Sequence, residues 1–169
     1  MDVLNSLDGK GLIIHHWDTD GISSTTLLLQ KLNMENIGNA TPTLGNYYLT
    51  NEEINGVRGY DFLIIVDLSI PEDNIKRLHS KVEKILIFDH HLGSLIPYVF
   101  HYNPIIKGED PSRYPSASWI INEYLGNPLN LYSILGVVGD HEGRIKNNPV
   151  IWNKIEGFCK EKKYPLMIY

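Results

Sequence analysis

Three short apolar segments, each followed at once by acidic or imidazole side chains, constrain the fold of this chain most strongly. They span residues 12–14, 62–66 and 85–88 and are rich in Ile, Val and Phe. Each segment is too short to be a core helix, so the pattern predicts buried β-strands. Residues 98–102 form a weaker fourth candidate.

Longer segments with helical periodicity separate these strands. They cover residues 22–32, 71–81, 116–125, 129–140 and 149–163. Pro71 and Pro149 suit first-turn positions, and Ser116 or Ser118 is a suitable cap for the third helix. Strands and helices alternate along 169 residues, a usual single-domain length. The pattern therefore predicts an α/β fold, with a mostly parallel sheet and helices on both faces.

The side chains that follow the three strands are candidate metal ligands. They are His16, Asp18 and Asp20 after the first strand, Asp67 after the second, and Asp89, His90 and His91 after the third. The carboxyl ends of parallel strands meet at one edge of a sheet, so we expect these side chains to line one cleft. If the chain stays extended after Ile14, His15 and Trp17 face away from that cleft and serve as packing residues.

Charge repulsion among the converging carboxylates makes bound cations the simplest explanation of the pattern. Asp18, Asp20, Asp67 and Asp89 would repel one another strongly in a partly dry cleft. Two divalent ions would relieve that repulsion and offset most of the formal charge of −5. Mixed oxygen and imidazole ligands suit Mn²⁺, with Mg²⁺, Co²⁺ or Zn²⁺ possible. Cys159 is the only cysteine, which excludes an internal disulfide and a cysteine-cluster zinc site.

Four short motifs resemble those of the DHH phosphoesterase family, and they occur in the family's order. They are His-Trp-Asp-Thr-Asp-Gly at residues 16–21, Asp67, Asp-His-His at residues 89–91, and Gly-Val-Val-Gly-Asp-His at residues 136–141. The Asn103-Pro104 pair also resembles the family's usual Asn-Pro after the next strand. Each motif alone is weak, but four in order across residues 11–143 are specific.

The resemblance implies a role for each candidate ligand. The implied metal ligands are His16 and Asp18 for one ion, Asp20, His90 and Asp140 for the second, and Asp67 as the bridge between them. The implied catalytic residues are Asp67, His91 and Asp89. Among these, Asp89 would orient a histidine, and His91 would contact the substrate phosphate.

The function expected from this resemblance is phosphoester hydrolysis with two metal ions. A metal-bound hydroxide would attack phosphorus in line, without a covalent enzyme intermediate. The His-x-Asp-x-Asp-Gly spacing of the first motif resembles the RecJ-like exonuclease branch, which favours single-stranded nucleic acid or short oligonucleotides as substrate. Cyclic dinucleotides and pyrophosphate remain alternatives. A catalytically idle DHH-like binding module in a replication or repair assembly is the competing non-enzymatic hypothesis.

Substrate contacts are less constrained by sequence. Gly21 permits a tight turn that would present a positive helix end to a phosphate, and Arg144 lies close to Asp140 in the chain. We therefore expect Gly21 and Arg144 to bind substrate together with His91, whose phosphate contact is implied by the resemblance. Aromatic residues among apolar neighbours usually pack in the core, so core packing is favoured over base stacking for four tyrosines. These are Tyr47, Tyr48, Tyr98 and Tyr102.

The chain is expected to form one domain over residues 1–169. It has no room for the C-terminal substrate-binding domain that often follows in the family, so long substrates should be hydrolysed poorly. The apolar ending at residues 164–169 suggests a domain cut from a longer protein. The acidic N-terminus is unlike a signal peptide, and no apolar run reaches membrane-spanning length, so a cytoplasmic location is expected.

Overall fold

The computed structural model describes residues 3–32 and 35–165. Strands and helices alternate along these residues. They are β1 (Gly11–His15), α1 (Thr19–Leu32), β2 (Ile37–Ala40), α2 (Asn51–Gly56), β3 (Phe62–Val66), α3 (Glu72–His79), β4 (Lys84–Phe88), β5 (Phe100–Tyr102), α4 (Ala117–Tyr124), α5 (Leu131–His141) and α6 (Pro149–Lys162). Short 3₁₀ helices occupy Val3–Ser6, Ile105–Lys107, Pro111–Arg113 and Glu142–Asn147.

The five strands form one sheet in the order β2-β1-β3-β4-β5. Every neighbouring pair runs parallel, so all strands point their carboxyl ends toward the same edge. This arrangement confirms the predicted α/β fold with a parallel sheet. It also brings the residues that follow β1, β3 and β4 to one edge of the sheet.

The central strands are apolar throughout because both faces of the sheet are covered. All five residues of β1 and all five of β3 are buried. Ile14, Ile65 and Ile87 contribute to the core cluster shared with α2 and α3. Ile13, Ile64 and Leu86 contribute to the opposite cluster, which includes residues of α1 and α4. Helices therefore cover both faces, as predicted.

A third apolar cluster holds α5 and α6 against α4. Trp119 of α4 packs with Val137 of α5 and with Ile151 and Ile155 of α6. Helix α5 also packs along α1. This packing brings the end of α5, which carries Asp140, to the carboxyl edge of the sheet.

Two elements were not predicted from the sequence, and both lie between β1 and β3. Strand β2 is at the sheet edge and is only partly buried, so it lacks the apolar run of the central strands. Helix α2 has six residues and begins with a capping box between Thr50 and Glu53. Neither element has the periodicity that a sequence-based prediction needs.

The chain does not stay extended after Ile14, so the alternation expected on that condition does not apply. Strand β1 ends at His15, and α1 begins at Thr19, so Asp20 lies in the first helical turn. Asp18 accepts a hydrogen bond from the N–H of Gly21 at 2.9 Å, which favours early helix formation.

No helix in the described ranges is long and apolar enough to cross a membrane.

Candidate metal centre

Asp67 follows β3 directly and lies within the carboxyl edge of the sheet. Its N–H donates to the carbonyl of Phe88 at 3.0 Å, so hydrogen bonding to β4 continues past the last strand residue. Its φ of 56° falls in the left-handed region, which Asp tolerates better than most residues. The carboxylate is almost fully buried. This backbone conformation costs some strain at a position that supplies a buried charge to the cleft.

His16, Asp18 and Asp67 form one set of possible ligands, which we name the strand-end group. The Nδ1 atom of His16 lies 2.6 Å from Asp18 Oδ2 and 3.7 Å from Asp67 Oδ2. One donor atom from each residue lies within 4.8 Å of the others, a spacing that could hold a metal ion. The three residues follow β1 and β3, which are paired strands, so the sheet itself brings them together.

Gly21 allows α1 to begin against the end of β1. A Cβ atom at this position would clash with the backbone carbonyl of His16, and backbone atoms cannot move aside as a flexible side chain can. The Gly21 N–H already donates to Asp18. The glycine is therefore required by close backbone approach, and its predicted contact with substrate stays a prediction.

Asp20, His90 and Asp140 form a second set, which we name the helix group. Asp20 lies in the first turn of α1, His90 follows β4, and Asp140 lies in the last turn of α5. His90 Nε2 is 3.9 Å from Asp20 Oδ2 and 3.4 Å from Asp140 Oδ2. It is also 3.3 Å from Asp67 Oδ1, so Asp67 lies between the two groups.

The carboxylate of Asp20 is held by the N-terminus of α4. Its Oδ2 accepts from the N–H of Ala117 at 2.6 Å, and its Oδ1 accepts from the N–H of Ser118 at 2.9 Å. Asp20 is fully buried. Backbone N–H groups at a helix start favour a negative charge, so α4 both orients and stabilises this carboxylate.

Gly136 lies in α5 and packs against the contact between Asp20 and the start of α4, where only glycine fits. A Cβ at Gly136 would clash with Ser118 Oγ and with Asp20 Oδ1. Gly139 is also closely packed, because a Cβ there would lie 2.6 Å from the Cβ of Thr19. The two glycines of the fourth motif thus let α5 approach α1 and α4 closely enough to deliver Asp140.

Asp89 and His91 form an ion pair beside these groups. Asp89 Oδ1 lies 2.7 Å from His91 Nδ1. This hydrogen bond raises the pKa of His91, and although burial of Asp89 opposes it, the bond to His91 lowers the pKa of Asp89. Asn103 donates from Nδ2 to the His91 carbonyl at 2.8 Å. Asp89 therefore contacts His91 directly, and its role in orienting a histidine for catalysis stays a prediction.

The crowded carboxylates perturb each other in the metal-free protein. Burial, followed by repulsion from Asp20 and Asp18, raises the pKa of Asp67 well above its usual value. Burial and the same two carboxylates raise the pKa of Asp140 to about 8. Burial lowers the pKa of His90, which keeps its imidazole neutral and able to bind a metal.

The donor set fits divalent cations. Asp67 Oδ2 and His16 Nε2 are buried without a hydrogen-bond partner, which is costly unless another ligand satisfies them. Carboxylate and imidazole donors suit Mn²⁺ and related ions. Bound cations would remove the repulsion that raises the two carboxyl pKa values.

Comparison with protein families identifies this arrangement. The model of the DHH family, N-terminal domain, matches residues 10–142, which is most of the chain. The chain belongs to the DHH family. The resemblance inferred from the four motifs is thereby confirmed, and these motifs are the ones that supply the strand-end group and the helix group.

Solved structures of DHH proteins share the fold. One is exonuclease RecJ bound to manganese, with 22% identity, a TM-score of 0.62, and coverage of 81% of this chain and 40% of that chain. RecJ from Thermus thermophilus in complex with Mn²⁺ has 21% identity, a TM-score of 0.54, and coverage of 79% and 21%. The DHH domain of a member of a family of ribosomal proteins has 18% identity, a TM-score of 0.55, and coverage of 91% and 44%. The chain thus spans less than half the length of each. The comparison with curated proteins gave no match.

All the candidate metal ligands except Asp20 line a cleft of about 470 Å³. Seven of its wall residues were given no role in the site from the sequence: Tyr47, Leu92, Ile105, Pro111, Tyr114, Pro115 and His141. His141 has its Nε2 2.8 Å from the carbonyl of Pro115, which fixes the imidazole at the cleft wall. Its place as the last residue of the fourth motif, next to Asp140, was the sequence signal that could have identified it.

Arg144 lies just beyond the helix group. Its Nη2 donates to the carbonyl of Asp140 at 3.1 Å, and its Nε donates to that of His141 at 3.3 Å. These bonds satisfy carbonyl groups at the end of α5. The side chain is otherwise exposed, so its role in substrate binding stays a prediction.

The core-packing prediction was wrong for three of the four tyrosines, Tyr47, Tyr48 and Tyr98. Tyr47 and Tyr48 are 57% and 48% exposed, because both lie in the loop between β2 and α2 rather than under a helix. Tyr98 is also exposed, whereas Tyr102 packs on Phe88. His15 is buried and places Nδ1 2.6 Å from the His16 carbonyl, and the Trp17 ring lies 4.2 Å from that of His16.

Proposed function

We propose that this DHH domain is a metal-dependent phosphoesterase that holds two divalent cations and hydrolyses phosphodiester bonds in single-stranded nucleic acid or short oligonucleotides. One observation carries the proposal: two ligand groups from distant parts of the chain meet at Asp67, which lies within reach of His16 and His90. Two adjacent sites with a shared carboxylate are the arrangement that two-metal hydrolysis requires.

His16 and Asp18 would hold one ion, and Asp20, His90 and Asp140 the other, with Asp67 between them. Such ions lower the pKa of water and stabilise the charge of in-line attack at phosphorus. Mn²⁺ is the first ion to test, because two structures with this fold are manganese complexes. Mg²⁺, Co²⁺ and Zn²⁺ are the alternatives.

The remaining residues would bind and orient the substrate. Asp89 raises the pKa of His91, so the imidazole carries a positive charge over a wider pH range and can donate to a phosphate oxygen. Arg144 has N–H groups beyond those bonded to the end of α5, and these could reach a second oxygen. Gly21 would contribute through the positive end of α1 rather than through its own N–H.

The test is hydrolysis of bis-p-nitrophenyl phosphate and of short single-stranded oligonucleotides with Mn²⁺. Asp67→Ala is expected to reduce the rate at least about 10³-fold, because both ions lose a ligand. Glu83→Ala, which removes an exposed carboxylate outside the cleft, is the matched control and should retain the parent rate. Equal rates for Asp67→Ala and the parent would refute a two-metal enzyme.

The same assay separates the substrate classes. Cyclic dinucleotides and pyrophosphate are tested beside the oligonucleotides with each metal ion. Preference for either one over oligonucleotides would replace the proposed substrate while leaving the metal centre in place. Hydrolysis of none of them, despite binding of Mn²⁺, would favour an idle binding module.

A further inference from the structure

We propose that Tyr47 is a stacking platform for the base of the nucleotide whose phosphate is hydrolysed. This inference rests on the proposed function and deepens it, because it selects substrates that carry a nucleobase over inorganic pyrophosphate. Tyr47 belongs to none of the four DHH motifs, and its exposure is unusual for a large aromatic side chain close to a buried charged site.

The position of the ring carries the proposal. Its centroid lies 5.4 Å from that of His16, and the two planes differ by 21°, so the rings are stacked. More than half of Tyr47 is nevertheless exposed, and the residue lines the same cleft as Asp67 and His91. His16 therefore covers part of the ring, the Trp17 ring lies 6.4 Å away at 48°, and the ring surface that stays exposed borders the cleft.

The loop that carries Tyr47 is well anchored. The N–H and Oγ1 of Thr43 both donate to Glu53 Oε1, at 2.7 and 2.8 Å, and the Thr50 N–H donates to Oε2 at 2.6 Å. The Leu49 N–H donates to Asn74 Oδ1 at 2.7 Å. These bonds fix both sides of Tyr47, so the exposed ring is preorganised and loses little freedom when a ligand binds.

The chemistry of this surface fits a nucleobase. Every base presents a flat π-face, and stacking on an aromatic side chain tolerates any sequence. In a nucleotide, one sugar separates the base from the phosphate. In the protein, one side chain, His16, separates the Tyr47 ring from the candidate ligand Asp67, because it contacts both. Leu92, also on the cleft wall, is 79% exposed and adds apolar surface. Pyrophosphate has no apolar part that could use these contacts.

The experiment compares a short oligothymidylate with the same oligonucleotide made of abasic tetrahydrofuran units. For Tyr47→Ala, kcat/KM on oligothymidylate is expected to fall about 5- to 150-fold, the factor given by losing roughly 1–3 kcal/mol of stacking. Tyr47→Phe should stay within about twofold of the parent because it keeps the ring. Activity on the abasic substrate should not change. Tyr48→Ala, an equally exposed neighbour outside the cleft lining, is the matched control.

A binding measurement makes the test independent of turnover. In an Asp67→Asn background, fluorescence anisotropy should show tighter binding of oligothymidylate than of the abasic oligomer, and Tyr47→Ala should abolish that difference. Mn²⁺ titration of Tyr47→Ala checks that the His16 site is intact. The stacking role of Tyr47 would be refuted if the parent bound both oligomers equally tightly. It would also be refuted if Tyr47→Ala lowered kcat/KM equally on both substrates. If the parent hydrolyses neither substrate, the proposed function fails, and the anisotropy data still decide the role of Tyr47.

Discussion

The strand-end group and the helix group differ in how the fold assembles them. His16, Asp18 and Asp67 follow two paired strands, so their proximity is a direct consequence of the parallel register of β1 and β3. The helix group instead depends on the packing of α1, α4 and α5, including the glycine contact at Gly136. One half of the site therefore follows from the sheet alone, whereas the other half requires correct helix packing.

Asp67 lies between the two groups, and their carboxylates repel one another. The largest predicted effect is the pH dependence of stability that this repulsion causes. The folded metal-free protein keeps Asp140 protonated up to about pH 8, whereas the unfolded chain releases that proton near 3.8. The raised pKa values of Asp67 and His91 act in the same direction. The folded state therefore binds more protons across this range, and its free energy of unfolding should fall as the pH rises.

The lowered pKa of His90 has the opposite effect, since it makes the free energy of unfolding rise with pH. This effect is confined to pH values below 6.5, the ordinary pKa of histidine. We therefore expect the melting temperature of the metal-free protein to drop between pH 6.5 and 8, by roughly 2–4 °C for each kcal/mol lost. Saturating Mn²⁺ should remove the part of the slope that comes from Asp67 and Asp140, because it binds their deprotonated carboxylates, and should leave only the smaller part due to His91. Calorimetry with EDTA or Mn²⁺ measures both, and a metal-free melting temperature that rises over this range would contradict the prediction.

The next effect isolates the helix group. Gly136→Ala forces a Cβ against Ser118 and Asp20, so we expect a loss of about 1–3 kcal/mol of stability and of one of two Mn²⁺ equivalents. Gly157→Ala is the matched control, because a Cβ there meets nothing within 4 Å in α6. It should instead gain about 0.5–1 kcal/mol. Urea unfolding and Mn²⁺ calorimetry measure the two effects. Retention of both equivalents in Gly136→Ala would show that the helix group does not depend on this packing.

The sequence predicted the strand-end group better than the helix group for a physical reason. Strands β1 and β3 are buried on both faces, so they appear as continuous apolar runs, and the three strand-end ligands follow them within three residues. In the helix group, His90 follows the apolar strand β4 in the same way. Asp140 follows no strand and was assigned only through the family motif. The contact between Asp20 and the start of α4 spans 97 residues and leaves no periodic signal.

The regions missed by sequence reasoning share a related cause. Strand β2 is a partly exposed edge, and α2 is too short for a helical period. Tyr47 lies between them, so its position beside His16 depends on a loop anchored by non-local bonds, from Thr43 to Glu53 and from Leu49 to Asn74. An exposed aromatic residue in such a loop cannot be distinguished from a packed one by its neighbours in sequence.

A smaller effect compares one ligand from each group. Asp20→Asn leaves a buried amide facing the N–H groups of Ala117 and Ser118, so metal-free stability should fall by about 1–3 kcal/mol. Asp18→Asn relieves a similar charge and preserves the cap on α1, since Asn caps helices as well as Asp does. It loses the carboxylate contact with His16, so it should cost about 0.5–1 kcal/mol, less than Asp20→Asn. Urea unfolding in EDTA compares them. Equal losses would show that α4 does not anchor the helix group as described.

The smallest expected effect concerns Arg144, which borders the helix group without belonging to it. Its two bonds to the carbonyls of Asp140 and His141 favour the end of α5, so Arg144→Ala should lower stability by only about 0.3–1 kcal/mol. If the side chain also holds a substrate phosphate, KM should rise roughly fivefold, about 1 kcal/mol, with little change in kcat. Arg144→Lys keeps the charge but loses the planar fork, so its KM should be intermediate. An unchanged KM in Arg144→Ala would show that this residue only stabilises the end of α5. The strand-end group and His91 would then have to position the phosphate without Arg144.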